Sequence, residues 1–245
     1  MTIKQEMNAY SRDNIYDFDN NIILHEYPRM IAERIGEIEL KSKSFLELGL
    51  GHGYSTLEFQ KLVGDEYTVL EGDGNIIEKF NCDHPNHNIH IVQTYFEKFC
   101  TERKYDVIIA GYILEHVDDP LMIIRKYKSY LDKNGRMFIA VPNAEALNRR
   151  IGYEAGLLSD ITQLSQMDIG LGHKRYFTVD SISSLIMEAE MRIESMEGIY
   201  LKPFTTKQII SLNLDDSIIK AMCRVGRRYP ELSLGILVEC VKLDG

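Results

Sequence analysis

Short apolar runs rich in β-branched residues alternate along the chain with stretches in which apolar residues recur at helical spacing. Five such runs occur within the first 143 residues, at 44–49, 67–72, 89–94, 105–111 and 136–143. Between them, helices are predicted at 54–63, 75–81 and 120–132, and Asn134-Gly135 supplies a stop for the last one. Repeated strand–helix alternation predicts a doubly wound α/β fold, with right-handed crossovers and helices on both faces of a mainly parallel sheet.

The regions that flank the alternating part predict a cap and a substrate cover. Apolar residues recur at helical spacing in 24–40, so residues 1–40 are expected to form a helical leader that caps the domain of residues 41–245. The segment of about residues 144–177 is polar, and we expect it to cover the substrate.

The last part of the chain predicts an antiparallel pair of strands at the edge of the sheet. A helix is expected at 179–190, a strand near 192–201 and a final strand at 235–243. A helical insertion of about residues 205–229 separates these late strands. We expect the two strands to form an antiparallel pair at the edge of the sheet.

Composition places the chain among globular proteins with one sizeable core. It has 245 residues, of which 44% are hydrophobic, and a formal net charge of −9. The negative balance argues against a large nucleic-acid footprint, which needs clustered Lys and Arg. The N-terminal residues are polar, and no apolar run approaches the roughly 20 residues that span a bilayer, so we expect a cytoplasmic protein without a membrane segment. Four widely spaced cysteines predict neither a zinc site nor a disulfide framework.

One stretch, FLELGLGHGYST at residues 45–56, joins a buried-strand pattern to three glycines spaced by single residues. Gly49, Gly51 and Gly53 follow the apolar run directly, so a strand is expected to enter a tight turn that exposes its backbone. Such a turn is typical of a cradle for a ligand. Standing alone, the pattern also fits a purely structural strand-to-helix turn.

A distant acid favours the ligand interpretation. Glu71 ends the strand after the next helix, and dinucleotide folds place the acid that binds ribose hydroxyls about 20 residues beyond the glycines. A carboxylate there accepts two O–H hydrogen bonds and repels a 2′-phosphate, which indicates adenosine rather than NADP. Asp73 is the competing candidate for this role.

The loop differs from the nicotinamide-binding fingerprint in its spacing and in the acid ahead of it. That fingerprint reads G-x-G-x-x-G, whereas here the glycines alternate with single residues and Glu47 precedes them. A carboxylate beside the loop would repel a pyrophosphate and attract a cation, such as the amino-acid end of S-adenosylmethionine. These residues resemble the class I S-adenosylmethionine-dependent methyltransferases, whose first motif is E/D-x-G-x-G-x-G.

The resemblance extends over most of the chain. VLEGDGNIIEKF matches the segment that holds the ribose, QTYFEKF the segment that flanks the adenine, and YDVIIAGYILEHVDDP the fourth motif beside the cofactor. NGRMFIAVPNAEAL and GHKRYFTVDSISSLI resemble later segments of the branch that includes the ubiquinone-type O-methyltransferases. The resemblance implies a Rossmann-like, seven-stranded sheet in the order 3-2-1-4-5-7-6 with strand 7 antiparallel. The cofactor-binding residues that it implies are Glu47, Gly49, Gly51, Gly53, Glu71, Gly72, Tyr95, Phe96, Glu97, Gly111 and Tyr112.

Methyl transfer requires an acceptor held in line with the methyl group, and an oxygen acceptor must also lose a proton. His116 follows the fourth strand at the edge where open α/β sheets bind ligands, and His173 lies in the segment expected to cover the substrate. Both are predicted to be catalytic because imidazole accepts a proton near neutral pH. The alternative for His116 is a histidine that caps a helix or packs against the cofactor.

Four residues are predicted to contact the acceptor. Arg149, Lys174 and Arg175 carry charges that could pair with an anionic group, and Tyr16 of the leader could close over the pocket. The alternative for the adjacent Lys and Arg is a solvated basic turn.

A metal site was considered at His116, Asp118 and Asp119, which include the hard oxygen ligands that magnesium prefers. Asp119 directly precedes Pro120 and is better explained as a helix cap with proline in the first turn. We therefore predict no bound metal.

The predicted function is methyl transfer from S-adenosylmethionine, releasing S-adenosylhomocysteine, to an oxygen of a small molecule, a nucleotide-linked compound or a surface-polysaccharide precursor. Resemblance to capsule-modifying enzymes adds a phosphoramidate group to the expected acceptors. Two alternatives stay open: a catalytically idle S-adenosylmethionine-binding module, and an NAD-dependent oxidoreductase, which the glycine spacing disfavours. We expect no nucleic-acid partner, and a monomer or homodimer.

Overall fold

The computed structural model describes residues 17–38, 44–63 and 66–243. The strands of this part are β1 (Phe45–Leu48), β2 (Tyr67–Glu71), β3 (His90–Gln93), β4 (Tyr105–Gly111), β5 (Leu131–Pro142), β6 (Met191–Ile199) and β7 (Gly235–Lys242). The helices are α1 (Asp17–Gly36), α2 (Tyr54–Val63), α3 (Gly74–Asp83), α4 (Pro120–Tyr130), α5 (Leu147–Glu154), α6 (Gln166–Gly170), α7 (Val179–Glu188), α8 (Thr206–Ser211) and α9 (Asp216–Gly226). Every apolar run predicted as a strand therefore forms one.

The seven strands form one sheet in the order β3-β2-β1-β4-β5-β7-β6, which confirms the predicted topology. The strands from β1 to β5 pair in parallel, and β7 runs antiparallel to both of its neighbours, β5 and β6. The central strand β1 is buried at every position, in keeping with the apolar run that encodes it. Because the strands β1, β2 and β4 are parallel, their carboxyl ends meet at one edge of the sheet, where the loops that follow them come together.

Side chains of β1 alternate between two hydrophobic cores, one on each face of the sheet. Leu46 packs in the core that includes Ile186 of α7, whereas Phe45 packs in the core that includes Ile31 of α1 and Phe59 of α2. The leader helix is thus part of the main body of the domain. Its packing brings residues of α1 beside the carboxyl ends of the strands.

The boundary between α4 and β5 differs from the predicted one. Helix α4 ends directly before Leu131, which pairs with Tyr105, and Asn134-Gly135 lies inside β5. The register between β4 and β5 shifts after Tyr105, and a Cβ on Gly135 would lie 2.9 Å from the carbonyl oxygen of Tyr105. The glycine is therefore explained by a close backbone approach within the sheet and not by the end of a helix.

The leader and the insertion have the predicted helical character with shifted limits. Helix α1 begins at Asp17, well before the predicted start, and α8 and α9 occupy the connection between β6 and β7. None of the described helices combines the length and the apolar character that crossing a bilayer requires.

Candidate functional site

All three glycines of the loop after β1 have left-handed backbone, with φ of 84° at Gly49, 49° at Gly51 and 76° at Gly53. A Cβ on Gly49 would lie 2.7 Å from Cδ1 of Ile113, and one on Gly53 would lie 2.3 Å from the ring of Phe80. A Cβ on Gly51 would meet nothing within 4 Å. Packing and conformation therefore both require glycine at the first and third positions, whereas Gly51 leaves its backbone open towards a cavity.

Glu71 lines the same cavity at the end of β2. Its carboxylate accepts hydrogen bonds from the backbone N–H groups of Leu50, at 3.0 Å, and Asp73, at 2.9 Å. The competing residue, Asp73, caps helix α3 by accepting a hydrogen bond from the backbone N–H of Asn75 at 2.8 Å. Glu71 is thus tied to the glycine loop, in the position expected for a ribose-binding acid.

Glu47 lies behind the glycine loop and does not line the cavity. The residue is 2% exposed, and its carboxylate accepts hydrogen bonds from the hydroxyls of Ser55 at 2.8 Å, Thr56 at 2.6 Å, and Tyr67. Burial raises the pKa of Glu47 to about 7, although these hydroxyls act in the opposite direction. The geometry corrects the expectation of a direct cofactor contact, since Glu47 instead ties the first turn of α2 to the sheet.

The segment after β3 contributes apolar and aromatic surface to the cavity. Tyr95 and Phe96 line it, together with Thr94, which was not predicted as a site residue. The Tyr95 ring lies over Gly72, where a Cβ would be 3.1 Å from two ring carbons. Glu97 is exposed and does not line the cavity, so its predicted contact with the cofactor is not supported by this geometry.

Tyr27 of the leader helix covers the carboxyl end of β4. A Cβ on Gly111 would lie 2.6 Å from its hydroxyl oxygen, and its ring meets that of Tyr112 edge to face at 5.7 Å. Tyr112 has a φ of 57°, in the region that side chains rarely adopt, and its hydroxyl packs against Gly235. Gly111 and Tyr112, both predicted to bind the cofactor, line the cavity, and so does Tyr27, which was not predicted as a site residue.

Glu115, His116 and His173 bring one potential ligand atom each to within 4.8 Å of one another. The two imidazole rings meet edge to face, with their centroids 4.7 Å apart. Glu115 is completely buried, and neither of its carboxylate oxygens has a hydrogen-bond partner among the described residues. Burial raises the pKa of Glu115 to about 7, and burial together with the charge of His173 lowers the pKa of His116 to about 4. The two predicted catalytic histidines are thus neighbours in one cavity, and Glu115 joins them.

Asp168 orients His173 from within the segment that covers the sheet edge. Its Oδ1 lies 3.2 Å from Nδ1 of His173, and its Oδ2 accepts hydrogen bonds from the Tyr176 hydroxyl at 2.6 Å and the Ser165 backbone N–H at 2.8 Å. Burial alone would raise the pKa of Asp168, but the contacts with His173, Ser165 and Tyr176 hold it well below its usual range. The Asp168 carboxylate therefore lies at ion-pair distance from the imidazole of His173.

Asp168 has a local signal in the sequence, although it was not predicted as a site residue. Ser165 and Asp168 form a capping box at the start of α6, the S-x-x-D pattern of a helix N-terminus. The pattern predicts the cap but not the contact with His173, which depends on the turn that follows the helix.

Two of the residues predicted to contact the acceptor, Arg149 and Lys174, line the cavity. The guanidinium of Arg149 donates hydrogen bonds to backbone carbonyls, including Ile161 at 2.6 Å, and lies 4.3 Å from the ring centroid of Tyr176. Lys174 forms an ion pair with the exposed Asp118. Arg149 therefore holds the covering segment together, and only Lys174 presents its amine near solvent.

Arg175 does not line the cavity. Its guanidinium donates hydrogen bonds to the carbonyls of Leu114, Val117 and Asp118, at 3.3, 2.7 and 3.2 Å. This contact fixes the loop after β4 and corrects the prediction that Arg175 binds the acceptor. Tyr16, the fourth predicted residue, lies outside the described residues.

Asp118 and Asp119 do not join the histidines. Asp119 caps helix α4, with its side chain accepting a hydrogen bond from the backbone N–H of Met122 at 2.9 Å, and Pro120 occupies the first turn. This confirms the capping role predicted from the Asp-Pro pair. Asp118 is exposed and pairs with Lys174.

A buried ion pair that was not predicted also lines the cavity. Lys202, which follows β6, contacts Asp19 of α1 and donates to the hydroxyl of Thr206 at 2.8 Å. The second carboxylate oxygen of Asp19 has no hydrogen-bond partner among the described residues. Asp19 and Lys202 are far apart in the chain, and no local pattern connects them.

The groups described above as lining the cavity surround one space of about 1340 Å³. Its walls include the glycine loop, Glu71, Gly111, the two histidines and Lys202. A pocket of this size accommodates a nucleoside-containing cofactor together with a small second molecule.

Residues 22–195 match the model of the methyltransferase domain family. One relative is the malonyl-[acyl-carrier protein] O-methyltransferase of Halalkalibacterium halodurans, which is 24% identical over 66% of this chain and 60% of its own length. Another is the ubiquinone biosynthesis O-methyltransferase of Parvibaculum lavamentivorans, which is 29% identical over 45% of this chain and 43% of its own length. The chain thus spans about half the length of these relatives.

A solved S-adenosylmethionine dependent methyltransferase from Mesorhizobium loti superposes with a TM-score of 0.61 at 14% identity, over 89% of this chain and 99% of that one. This likeness shows the fold, and the family match covers most of the described sheet and the cavity walls from β1 to His173. The chain belongs to the methyltransferase domain family and has the fold of the class I S-adenosylmethionine-dependent methyltransferases.

Proposed function

We propose that this protein transfers the methyl group of S-adenosylmethionine to an oxygen atom of a small acceptor. One observation carries the proposal: a single cavity contains both Glu71 with the glycine loop and the pair His116–His173. A cofactor and an acceptor that share a cavity can place a methyl group and a nucleophile in line, which accounts for much of the acceleration of such a displacement. The family match and the two O-methyltransferase relatives support the same reaction.

The cofactor end of the cavity suits adenosine with an amino-acid tail. Among the described residues, two backbone N–H groups donate to the Glu71 carboxylate, so it retains electron pairs for ribose hydroxyls. Phe96 and Ile113 supply apolar surface for a base. The first N–H groups of α2, directly after Gly53, form a site for the carboxylate of the tail.

The acceptor end supplies groups that promote loss of a proton. In the reaction the sulfur–methyl bond breaks as the oxygen–methyl bond forms, the sulfonium becomes a neutral thioether, and the acceptor hydroxyl releases a proton. Glu115, His116 and His173 line the cavity together, and neither carboxylate oxygen of Glu115 has a hydrogen-bond partner among the described residues. We assign the activation of the acceptor hydroxyl to this cluster.

The negative net charge of the chain disfavours a nucleic-acid acceptor and favours a small molecule. We propose a small hydroxyl-bearing molecule, including a nucleotide-linked compound or a surface-polysaccharide precursor. An anionic or phosphoramidate group would rely on Lys174 and Lys207, because Arg149 and Arg175 use their guanidinium groups on backbone carbonyls.

Two alternative functions, an NAD-dependent oxidoreductase and an idle binding module, predict a different strand order and an absence of turnover, respectively. An NAD-dependent oxidoreductase of the doubly wound type has the strand order 3-2-1-4-5-6, whereas this sheet ends in β7-β6 with β7 antiparallel. An idle binding module would keep the pocket and bind the cofactor without turnover. The buried, unpartnered Glu115 beside two histidines favours an enzyme over such a module.

Calorimetric titration with S-adenosylmethionine, S-adenosylhomocysteine and NAD, followed by incubation with methyl-labelled S-adenosylmethionine and a bacterial metabolite extract, tests the proposal. We expect heat with the first two ligands and label on an oxygen of one acidic or neutral metabolite. Heat with NAD alone would overturn the cofactor assignment. Binding without transfer to any fraction of the extract would favour the idle module, and label on nitrogen or carbon would replace the oxygen acceptor.

A further inference from the structure

Three electron-pair donors converge at the carboxyl end of β4. Glu115, His116 and His173 each bring one ligand atom to within 4.8 Å of the others, and the two imidazole centroids are 4.7 Å apart. Carboxylate oxygens and neutral imidazole nitrogens repel one another unless a positively charged ion or a proton lies between them.

A carboxylate lies directly behind one of the two histidines. His173 Nδ1 is 3.2 Å from Oδ1 of Asp168, whose other oxygen accepts hydrogen bonds from Ser165 and Tyr176. Histidines that bind metals commonly have an outer carboxylate in this position, which fixes the ring.

Glu115 forms no ion pair with a Lys or Arg among the described residues. Both of its carboxylate oxygens are buried without a hydrogen-bond partner. The amine of Lys174 pairs with Asp118, and the guanidinium of Arg175 binds backbone carbonyls. A buried carboxylate in this state is costly unless a cation accompanies it.

We propose that Glu115, His116 and His173 bind a divalent first-row transition-metal ion. Two histidines and one glutamate are the protein ligands of several catalytic zinc sites, in which the fourth position stays open. This set replaces the one considered from the sequence, His116 with Asp118 and Asp119, because Asp118 is paired and Asp119 caps a helix. It also replaces the expectation that no metal is bound.

The proposed ion shares the cavity with the glycine loop. Its contribution to methyl transfer rests on the proposed function, where an ion with an open position lowers the pKa of a hydroxyl that binds it. The histidines and Glu115 would then hold the ion, and an acceptor hydroxyl that binds it would release its proton to water before its oxygen takes the methyl group. Metal binding itself requires neither S-adenosylmethionine nor an acceptor.

Titration of chelator-dialysed protein with Co²⁺, followed by displacement with Zn²⁺, tests the proposal without cofactor or acceptor. We expect one equivalent of Co²⁺ with visible absorption of a four- or five-coordinate site. Glu115→Gln and His173→Gln should abolish this binding, and Asp168→Asn should weaken it by about 10- to 100-fold. His90→Gln, which changes an exposed histidine outside the cluster, should leave it unchanged.

Two results would overturn the proposal. One is the absence of stoichiometric Co²⁺ and Zn²⁺ binding to the wild-type protein, and the other is binding that persists in both Glu115→Gln and His173→Gln. A measurement on unchanged protein guards against variants that fail to fold: X-ray absorption at the zinc edge should show nitrogen and oxygen ligands at about 2.0–2.2 Å. A sulfur shell would place the ion at a cysteine and overturn the assignment. Failure of metal binding leaves the calorimetric test of the cofactor unaffected.

Discussion

The backbone N–H of Leu50 donates a hydrogen bond of 3.0 Å to the carboxylate of Glu71, which joins the glycine loop after β1 to the end of β2. Leu50 lies between Gly49 and Gly51, so the acid expected to bind the ribose also braces the loop that exposes its backbone to the cofactor. The two motifs that the sequence shows separately are one structural unit. Substitutions of Glu71 and of the glycines test this unit directly.

Glu71→Ala should weaken S-adenosylmethionine binding by about 1–3 kcal/mol, because ribose hydroxyls lose an acceptor and Leu50 and Asp73 lose theirs. Calorimetric titration measures the change. Glu78→Ala, on the exposed side of α3, is the matched control and should keep wild-type affinity. Wild-type affinity in Glu71→Ala, combined with weak binding in Asp73→Ala, would move the ribose contact to Asp73.

Substitutions in the glycine loop should separate stability from binding. Gly51→Ala places a Cβ in open space, so only the left-handed backbone should lower the free energy of unfolding, by about 1–2 kcal/mol. The same change should reduce the affinity for the cofactor. Gly53→Ala meets the Phe80 ring as well and should lose a further 1–3 kcal/mol or so of unfolding free energy. Urea unfolding of both variants, with cofactor titration of each, measures the difference. Equal stability losses would mean that Phe80 moves aside freely.

Glu47→Gln should change how stability depends on pH. The folded pKa of about 7 lies above the ordinary value of 4.5, so the folded state binds the proton more tightly and stability falls as pH rises between these values. Above pH 7 the ionised, buried carboxylate costs on the order of 3 kcal/mol. Relative to the wild type, Glu47→Gln should therefore gain unfolding free energy between pH 5 and pH 8.

Urea unfolding of both proteins at the two pH values measures this gain. Glu58→Gln, a change on the exposed part of α2, should keep the wild-type pH profile. Parallel pH profiles for the wild type and Glu47→Gln would contradict the prediction, because they would mean that Glu47 has the same pKa in the folded and the unfolded protein.

Breaking the buried pair between the leader helix and the late insertion should be strongly destabilising. Lys202→Met leaves Asp19 charged and uncompensated in a buried site, and should cost about 3–5 kcal/mol of unfolding free energy. The double change Asp19→Asn with Lys202→Met should recover a large part of this loss. Chemical unfolding of the single and double variants measures both, with the exposed Lys207→Met as control. A single variant as stable as the wild type would contradict a folded-state role for the pair.

The cofactor half of the site was largely readable from local sequence. Apolar runs, glycine spacing and an acid at a strand end depend on short-range sterics, since only glycine adopts the φ values of 49–84° found in the loop without strain. Parallel order then places the ends of β1, β2 and β4 at one edge, so Glu71 and Gly111 line the same cavity, and their contacts with the cofactor stay predictions. The sheet order itself was available only through the resemblance to a known family.

The tertiary structure alone decided which charged groups face the cavity and which form their hydrogen bonds within the fold. Glu47, Arg149 and Arg175 are of residue types that commonly bind ligands. Glu47 instead accepts hydrogen bonds from hydroxyls of the protein, and the two arginines donate to backbone carbonyls. Glu115 and His116 are adjacent in the chain, and packing of the covering segment against the loop after β4 brings His173 to them. Local pattern is sufficient where a backbone conformation limits the residue type, but the partner of a side chain is set by segments that meet only after the sheet has formed.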